Sequence, residues 1–287
     1  MTATPQSKLS SPFSIKNVHL KVANLENMSR FYQEEIGLEL IKKEAKQAHF
    51  AARDSQDVIL ILEEIAGRAE SEPKSGLYHM AFLLPTRKDL ANQFLSFHQN
   101  EIPLVGASDH SYSEALYLKD PEGNEIEIYV DKDISEWNIL EDGTITGVTE
   151  HIDLEGVLSE ADGKWLGMAP GTTMGHVHLY VSDLEATEDF FYNLLGIGLK
   201  YNFGAKAKFF AVGNYHHHIG ANLWKGIGMP PLADDEYGMA YYTLQVSSET
   251  DYQAVKNRLS KADYPFTEAD NTLTLVDPNG IVTKLTF

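Results

Sequence analysis

Asn17-Val-His-Leu-Lys-Val-Ala-Asn-Leu-Glu26 returns later in the chain as His176-Val-His-Leu-Tyr-Val-Ser-Asp-Leu-Glu185. The same spacing carries Gly37-Leu-Glu-Leu40 onto Gly196-Ile-Gly-Leu199. A weaker pair aligns His79-Met-Ala-Phe-Leu-Leu-Pro-Thr-Arg-Lys-Asp89 with Tyr241-Tyr-Thr-Leu-Gln-Val-Ser-Ser-Glu-Thr-Asp251 without a gap. Each half then closes on a like turn, Asp120-Pro-Glu-Gly123 and Asp277-Pro-Asn-Gly280. Recurrence of this kind marks repeated structural units, so the chain reads as two halves, each of two modules.

Within a module the pattern predicts a strand, a helix and three more strands. Residues 18–22 alternate as a half-buried strand. Over 25–35, Leu25, Met28, Phe31 and Tyr32 recur at helical spacing until Gly37 ends the helix. A continuous apolar strand is expected at 58–62. The second module repeats the plan, with strands at 78–84, 114–118 and 125–130 and a helix at 87–100. Helices follow near 184–195 and 250–262. The modules span 13–66, 76–130, 174–227 and 237–287, giving halves at 13–130 and 174–287. Residues 1–12 read as a flexible tail. The connection at 131–173 is too long for a hairpin, so it either wraps the surface or crosses between modules.

Composition narrows the chemistry. The 287 residues suffice for two cores. No apolar run is long enough to cross a bilayer, and 1–11 lacks a basic-then-apolar export signal, which points to the cytoplasm. The formal charge of −19, with no basic cluster, excludes nucleic acid and anionic lipid as partners. The absence of cysteine excludes disulfides, Fe–S clusters and thiolate zinc sites. Any metal must therefore use His, Asp, Glu or Tyr, which suits Fe(II), Mn(II), Ni(II) or Zn(II).

The stretch from Gly175 to Asp183, followed by Phe190-Phe-Tyr192 and Leu195-Gly196, together with Asp120-Pro-Glu-Gly-Asn-Glu-Ile-Glu-Ile-Tyr129, resembles the vicinal-oxygen-chelate superfamily. Four modules resemble its two-domain extradiol, catechol 2,3-type dioxygenases. The resemblance covers nearly the whole chain beyond the tail. It implies an α+β fold of four βαβββ modules forming two domains. It is less specific for the reaction, since the same modules serve glyoxalases, epimerases and resistance proteins.

In that family one ligand histidine opens the first strand of a module, a second opens the first strand of its partner, and a glutamate comes from the partner's last strand. The first-strand positions here are Asn17, His79, His176 and Tyr241; the last-strand positions in modules two and four are Glu127 and Lys284. Modules one and four thus offer a poor cation site, because an ammonium competes with the metal. Modules two and three retain His79, Glu127 and His176. The family's familiar pairing, one with two and three with four, would strand these residues in different domains. We therefore expect modules two and three to pair with each other, and one with four.

The resemblance also implies roles for Tyr215-His-His-His218 in module three and for Asp109-His110 and Tyr117 in module two. His218, or its neighbour His217, is the candidate acid–base, and His110 and Tyr117 would hold substrate oxygens. Read as a strand, the triplet places His216 and His218 on one face and His217 on the other. His19 and His178 are expected to pack or orient, and the two Asp-Pro turns require no chemistry. The implied reaction is metal-dependent cleavage of a catechol or hydroquinone-like ring by O2, with Fe(II) the leading metal and a homodimer the family's arrangement. Two other readings stay open. One is a glyoxalase- or epimerase-type enzyme stabilising an enediolate, against which stands Asn222 where a second carboxylate is wanted. The other is a non-catalytic protein that sequesters an aromatic or metal-chelating compound.

Overall fold

The computed structural model describes residues 6–287. Module one runs β1 (Ser14–Val22), α1 (Leu25–Glu34), β2 (Glu39–Lys43), β3 (Gln47–Ala51) and β4 (Leu60–Glu64). Module two runs β5 (Gly76–Leu83), α2 (Arg87–Gln99), β6 (Gly106–Asp109), β7 (Ser113–Lys119) and β8 (Glu125–Asp131). The connection holds β9 (Asn138–Ile139), β10 (Ile145–Thr146), β11 (Glu150–His151) and α3 (Leu154–Ser159). Module three runs β12 (Thr173–Tyr180), α4 (Leu184–Glu188) with a π-helical continuation over Asp189–Leu195, β13 (Gly198–Phe203), β14 (Ala207–Ala211) and β15 (Ile219–Asn222). Module four runs β16 (Gly238–Gln245), α5 (Glu249–Lys261), β17 (Thr267–Ala269), β18 (Thr272–Val276) and β19 (Val282–Thr286).

The strands form two large mixed sheets, giving an α+β architecture. One has the order β17-β18-β19-β16-β1-β4-β3-β2 and joins module four to module one. The other has the order β11-β6-β7-β8-β5-β12-β15-β14-β13 and joins module two to module three. The seam of each sheet is an antiparallel pair of first strands: β1 with β16, where His19 faces Tyr241, and β5 with β12, where His178 faces His79. Sheet pairing thus crosses the two sequence halves.

The helices form where caps and apolar spacing agree. Asn24, Thr86 and Ser248 accept the backbone N–H three residues on, opening α1, α2 and α5. Leu25, Met28, Phe31 and Tyr32 bury one face of α1. One core serves both sheets, with Val18 and Leu20 of β1 and Val177 and Leu179 of β12 fully buried in it.

The two Asp-Pro turns fasten the sheets together. Asp120 accepts the buried Tyr32 hydroxyl at 2.9 Å, and Glu122 accepts the backbone N–H groups of Ala23 and Asn24. In the other turn Asn279 accepts the Ser182 N–H at 2.9 Å and donates to Thr187 at 2.9 Å.

Two expectations change. Residues 6–12 are docked rather than loose: the Lys8 N–H donates to the Gly196 carbonyl at 2.8 Å, and Leu9 and the adjoining Phe13 are buried. Residues 1–5 of the expected tail lie outside the described residues. Tyr215–His218 is a loop rather than a strand, with β15 beginning only at Ile219. The connection wraps the surface: β11 pairs with β6, α3 packs on α2, and the Met168 N–H donates to the Gly37 carbonyl at 2.7 Å.

Candidate metal centre

β5 lies between β8 and β12, and Ala81 faces Glu127 on one side and His176 on the other. A fully buried alanine there leaves both longer side chains room to bend over the middle strand. His79, two residues earlier on β5, rises from the same face. The Nε2 atoms of His79 and His176 approach the same carboxylate oxygen of Glu127 at 3.1 and 3.2 Å. One ligand atom from each residue lies within 4.8 Å of the others, and all three residues are buried. Burial alone would raise the Glu127 carboxyl, but His176 and His79 hold it well below the usual range. Burial lowers His176, favouring the neutral imidazole that can ligate a metal. The donor set fits a divalent cation: two imidazoles and one carboxylate converge from adjacent strands with no competing ammonium.

In the other sheet the equivalent place is sealed from within. Lys284 sits 3.5 Å over the Tyr241 ring, and His19 pairs with Glu63 at 2.9 Å.

A cavity of about 510 Å³ opens over the triad. His217 lines it and lies against His176, with ring centroids 4.3 Å apart. Its Nδ1 meets Nδ1 of His216 at 2.8 Å, and His216 Nε2 meets Asp131 at 2.8 Å, which leaves His217 Nε2 as the nitrogen available to the cavity. His218 does not line the cavity. Its ring packs edge-on to Phe13 and its Nδ1 accepts the Val212 N–H at 3.4 Å, while burial pushes its pKa down to about 3. Of the two acid–base candidates, His217 lines the cavity and His218 does not, on opposite sides of the backbone as alternation predicts even though the segment is a loop.

His110 and Tyr117 meet in the same cavity. His110 Nδ1 lies 2.7 Å from the Val148 carbonyl, which can only accept, so Nδ1 carries the proton. Nε2 then accepts the Tyr117 hydroxyl at 2.7 Å. Burial and the nearby Glu127 charge keep that phenol protonated far above its ordinary pKa. Asp109 pairs with Lys132 at 2.6 Å instead. His178 is buried among Tyr78, Phe209 and Trp224 and packs edge-on to His79. Asn222, buried, accepts the Trp224 N–H at 3.0 Å.

Residues 14–128 match the model of the Glyoxalase/Bleomycin resistance protein/Dioxygenase superfamily. A catechol-2,3-dioxygenase of Bacillus subtilis (strain 168) is 38% identical over 263 residues, covering 90% of this chain and 92% of the relative. The chain belongs to this superfamily. Two solved structures share the superfamily fold at 13% identity each. A provisionally named dioxygenase of Bacillus subtilis superposes with a TM-score of 0.64, covering 99% of this chain and 86% of its own. Glyoxalase I from Zea mays gives 0.59, covering 96% and 92%.

Within this superfamily frame, several residues of the site escape sequence reading. Asp131 shares the face of β8 with Glu127, a spacing that strand alternation could have revealed. Tyr112, stacked on His216 at 4.2 Å, and Val148, which fixes the His110 tautomer, carry no local signal.

Proposed function

We propose that this protein is an Fe(II)-dependent extradiol ring-cleavage dioxygenase acting on a catechol-like diol, with His79, Glu127 and His176 as the metal ligands. The observation that carries the reading is the convergence of that triad with His217 and the His110–Tyr117 pair in one cavity. Kinship with a catechol-2,3-dioxygenase over most of both chains supports it. A bound Fe(II) would supply a centre at which the diol and O2 meet, and both oxygen atoms enter the product without an external reductant.

The chain's own residues account for the proton traffic. His217 Nε2 takes the proton from the second hydroxyl and returns one during ring opening, held in register by His216 and Asp131. Tyr117, kept as a phenol and donating to His110, presents its oxygen as an acceptor for a substrate hydroxyl, and His110 orients it.

Alanine at His79, Glu127 or His176 tests the reading. Anaerobic loading with Fe(II) followed by mass-spectrometric metal analysis should show about one ion in the wild type and loss in each variant, with oxygen uptake on catechol lost in parallel. Folded variants that keep their metal would refute the ligand assignment.

A further inference from the structure

We infer that the diol this cavity accepts carries a neutral, apolar ring substituent, and that carboxylated catechols are excluded. The inference rests on the dioxygenase reading and adds to it the identity of what hangs from the ring.

The argument begins with size. A single-ring diol held at the triad fills only a fraction of about 510 Å³, a volume in the range of sites for much larger ligands. The remainder opens toward a rim on which Val105, Val148, Phe203 and Trp224 are exposed at 58%, 40%, 53% and 49%. Four large apolar side chains that line one cavity and stay exposed to solvent are of the kind that marks a recognition surface. Trp224 packs beside the Tyr78 and His178 rings, at 5.4 and 5.3 Å. Phe209 and Tyr201, stacked 6.1 Å apart, continue this wall inward to His217.

Charge gives the second half. None of the described residues lining the cavity is lysine or arginine, whereas Glu125 and Glu127 both line it. Glu125 is paired with Lys119, whose side chain faces the neighbouring cavity instead. His110 has both ring nitrogens engaged, by Val148 and Tyr117. A carboxylate on the substrate ring finds no lysine or arginine on the cavity wall to pair with and must sit against apolar side chains. An alkyl or phenyl group in the same position meets Phe203, Trp224 and the two valines.

The test uses the Fe(II)-loaded enzyme under argon, titrated calorimetrically with catechol, 3-phenylcatechol and 3,4-dihydroxybenzoate, followed by oxygen uptake with each. 3-Phenylcatechol should bind about tenfold or more tighter than catechol, and the carboxylated diol about tenfold or more weaker. Phe203→Ala and Trp224→Ala should each bring the phenylcatechol-to-catechol affinity ratio toward one, and Val148→Lys should narrow the gap for the carboxylated diol. If catechol binds and is cleaved but the carboxylated diol binds as well or better, the inference falls and the dioxygenase reading stands. If no diol binds and none is cleaved, both fall together.

Discussion

His217 and His218 are adjacent in sequence and meet opposite surroundings. His217 lines the cavity against His176, whereas His218 is packed against Phe13 and Tyr215. His217→Asn should lower kcat by about 10²-fold or more with a smaller change in KM, as expected on loss of a general base. His218→Asn should instead lower the denaturation midpoint and spare turnover; steady-state kinetics beside a urea titration separates the two. His19 gives a pH prediction. Burial lowers its pKa from 6.5 to about 4, against the pull of Glu63. The unfolded chain therefore binds a proton below 6.5 that the folded chain takes up only below about 4. Stability is full at pH 7 and is lost as pH falls through that window, by about 3 kcal/mol in all. His19→Phe, which keeps the ring beside Tyr241, should flatten the slope between pH 6.5 and 4 in denaturation series. The triad itself was legible at this scale because repeat alignment assigned each candidate ligand a position. Tyr112 was not, since it acts through the path of the loop it stacks on.

Strand order explains why the element scale was read well in outline and less well at its edges. The helices follow caps and apolar spacing that the sequence displays openly. Tyr215-His-His-His218 alternates as a strand would, but it follows Gly213, whose φ of 68° turns the chain. The backbone rejoins the sheet only where the His218 N–H donates to the Phe210 carbonyl at 2.8 Å. At the seam, Gly175 is fixed by a neighbour distant in sequence: a Cβ there would collide with the Tyr129 hydroxyl, which bonds Tyr215 at 2.7 Å. Gly175→Ala should push β12 from β8 or turn Tyr129 out, displacing His176 beside it. We expect destabilisation of about 1–3 kcal/mol and weaker metal retention, measured by thermal unfolding with and without Fe(II).

The whole molecule is built on one joint used twice. Glu122 accepting the N–H groups of Ala23 and Asn24, and Asn279 accepting those of Ser182 and Asp183, are the same contact in the two quasi-equivalent places, each tying a turn of one sheet to the start of a helix beside the other. Asn279 is buried with its amide oxygen and nitrogen both engaged, so Asn279→Ala leaves the Ser182 N–H and hydroxyl without their acceptor and removes the donor to Thr187. A loss of about 2 kcal/mol is expected, read from chemical denaturation. The sequence announced these turns but not their task, because a turn motif says nothing about what lies across from it.

The nesting of the pairs, second module with third inside first with fourth, also sets an order of events during synthesis. A ribosome releases β5 and β8 long before β12, so His79 and Glu127 wait for the third module before the proposed ligand set is complete. β1 waits longer still, since its partner β16 begins at Gly238. Until then its free edge is open to other chains. A nascent chain halted after the third module would hold every proposed metal ligand and yet carry this unpaired strand, so the fourth module protects the first.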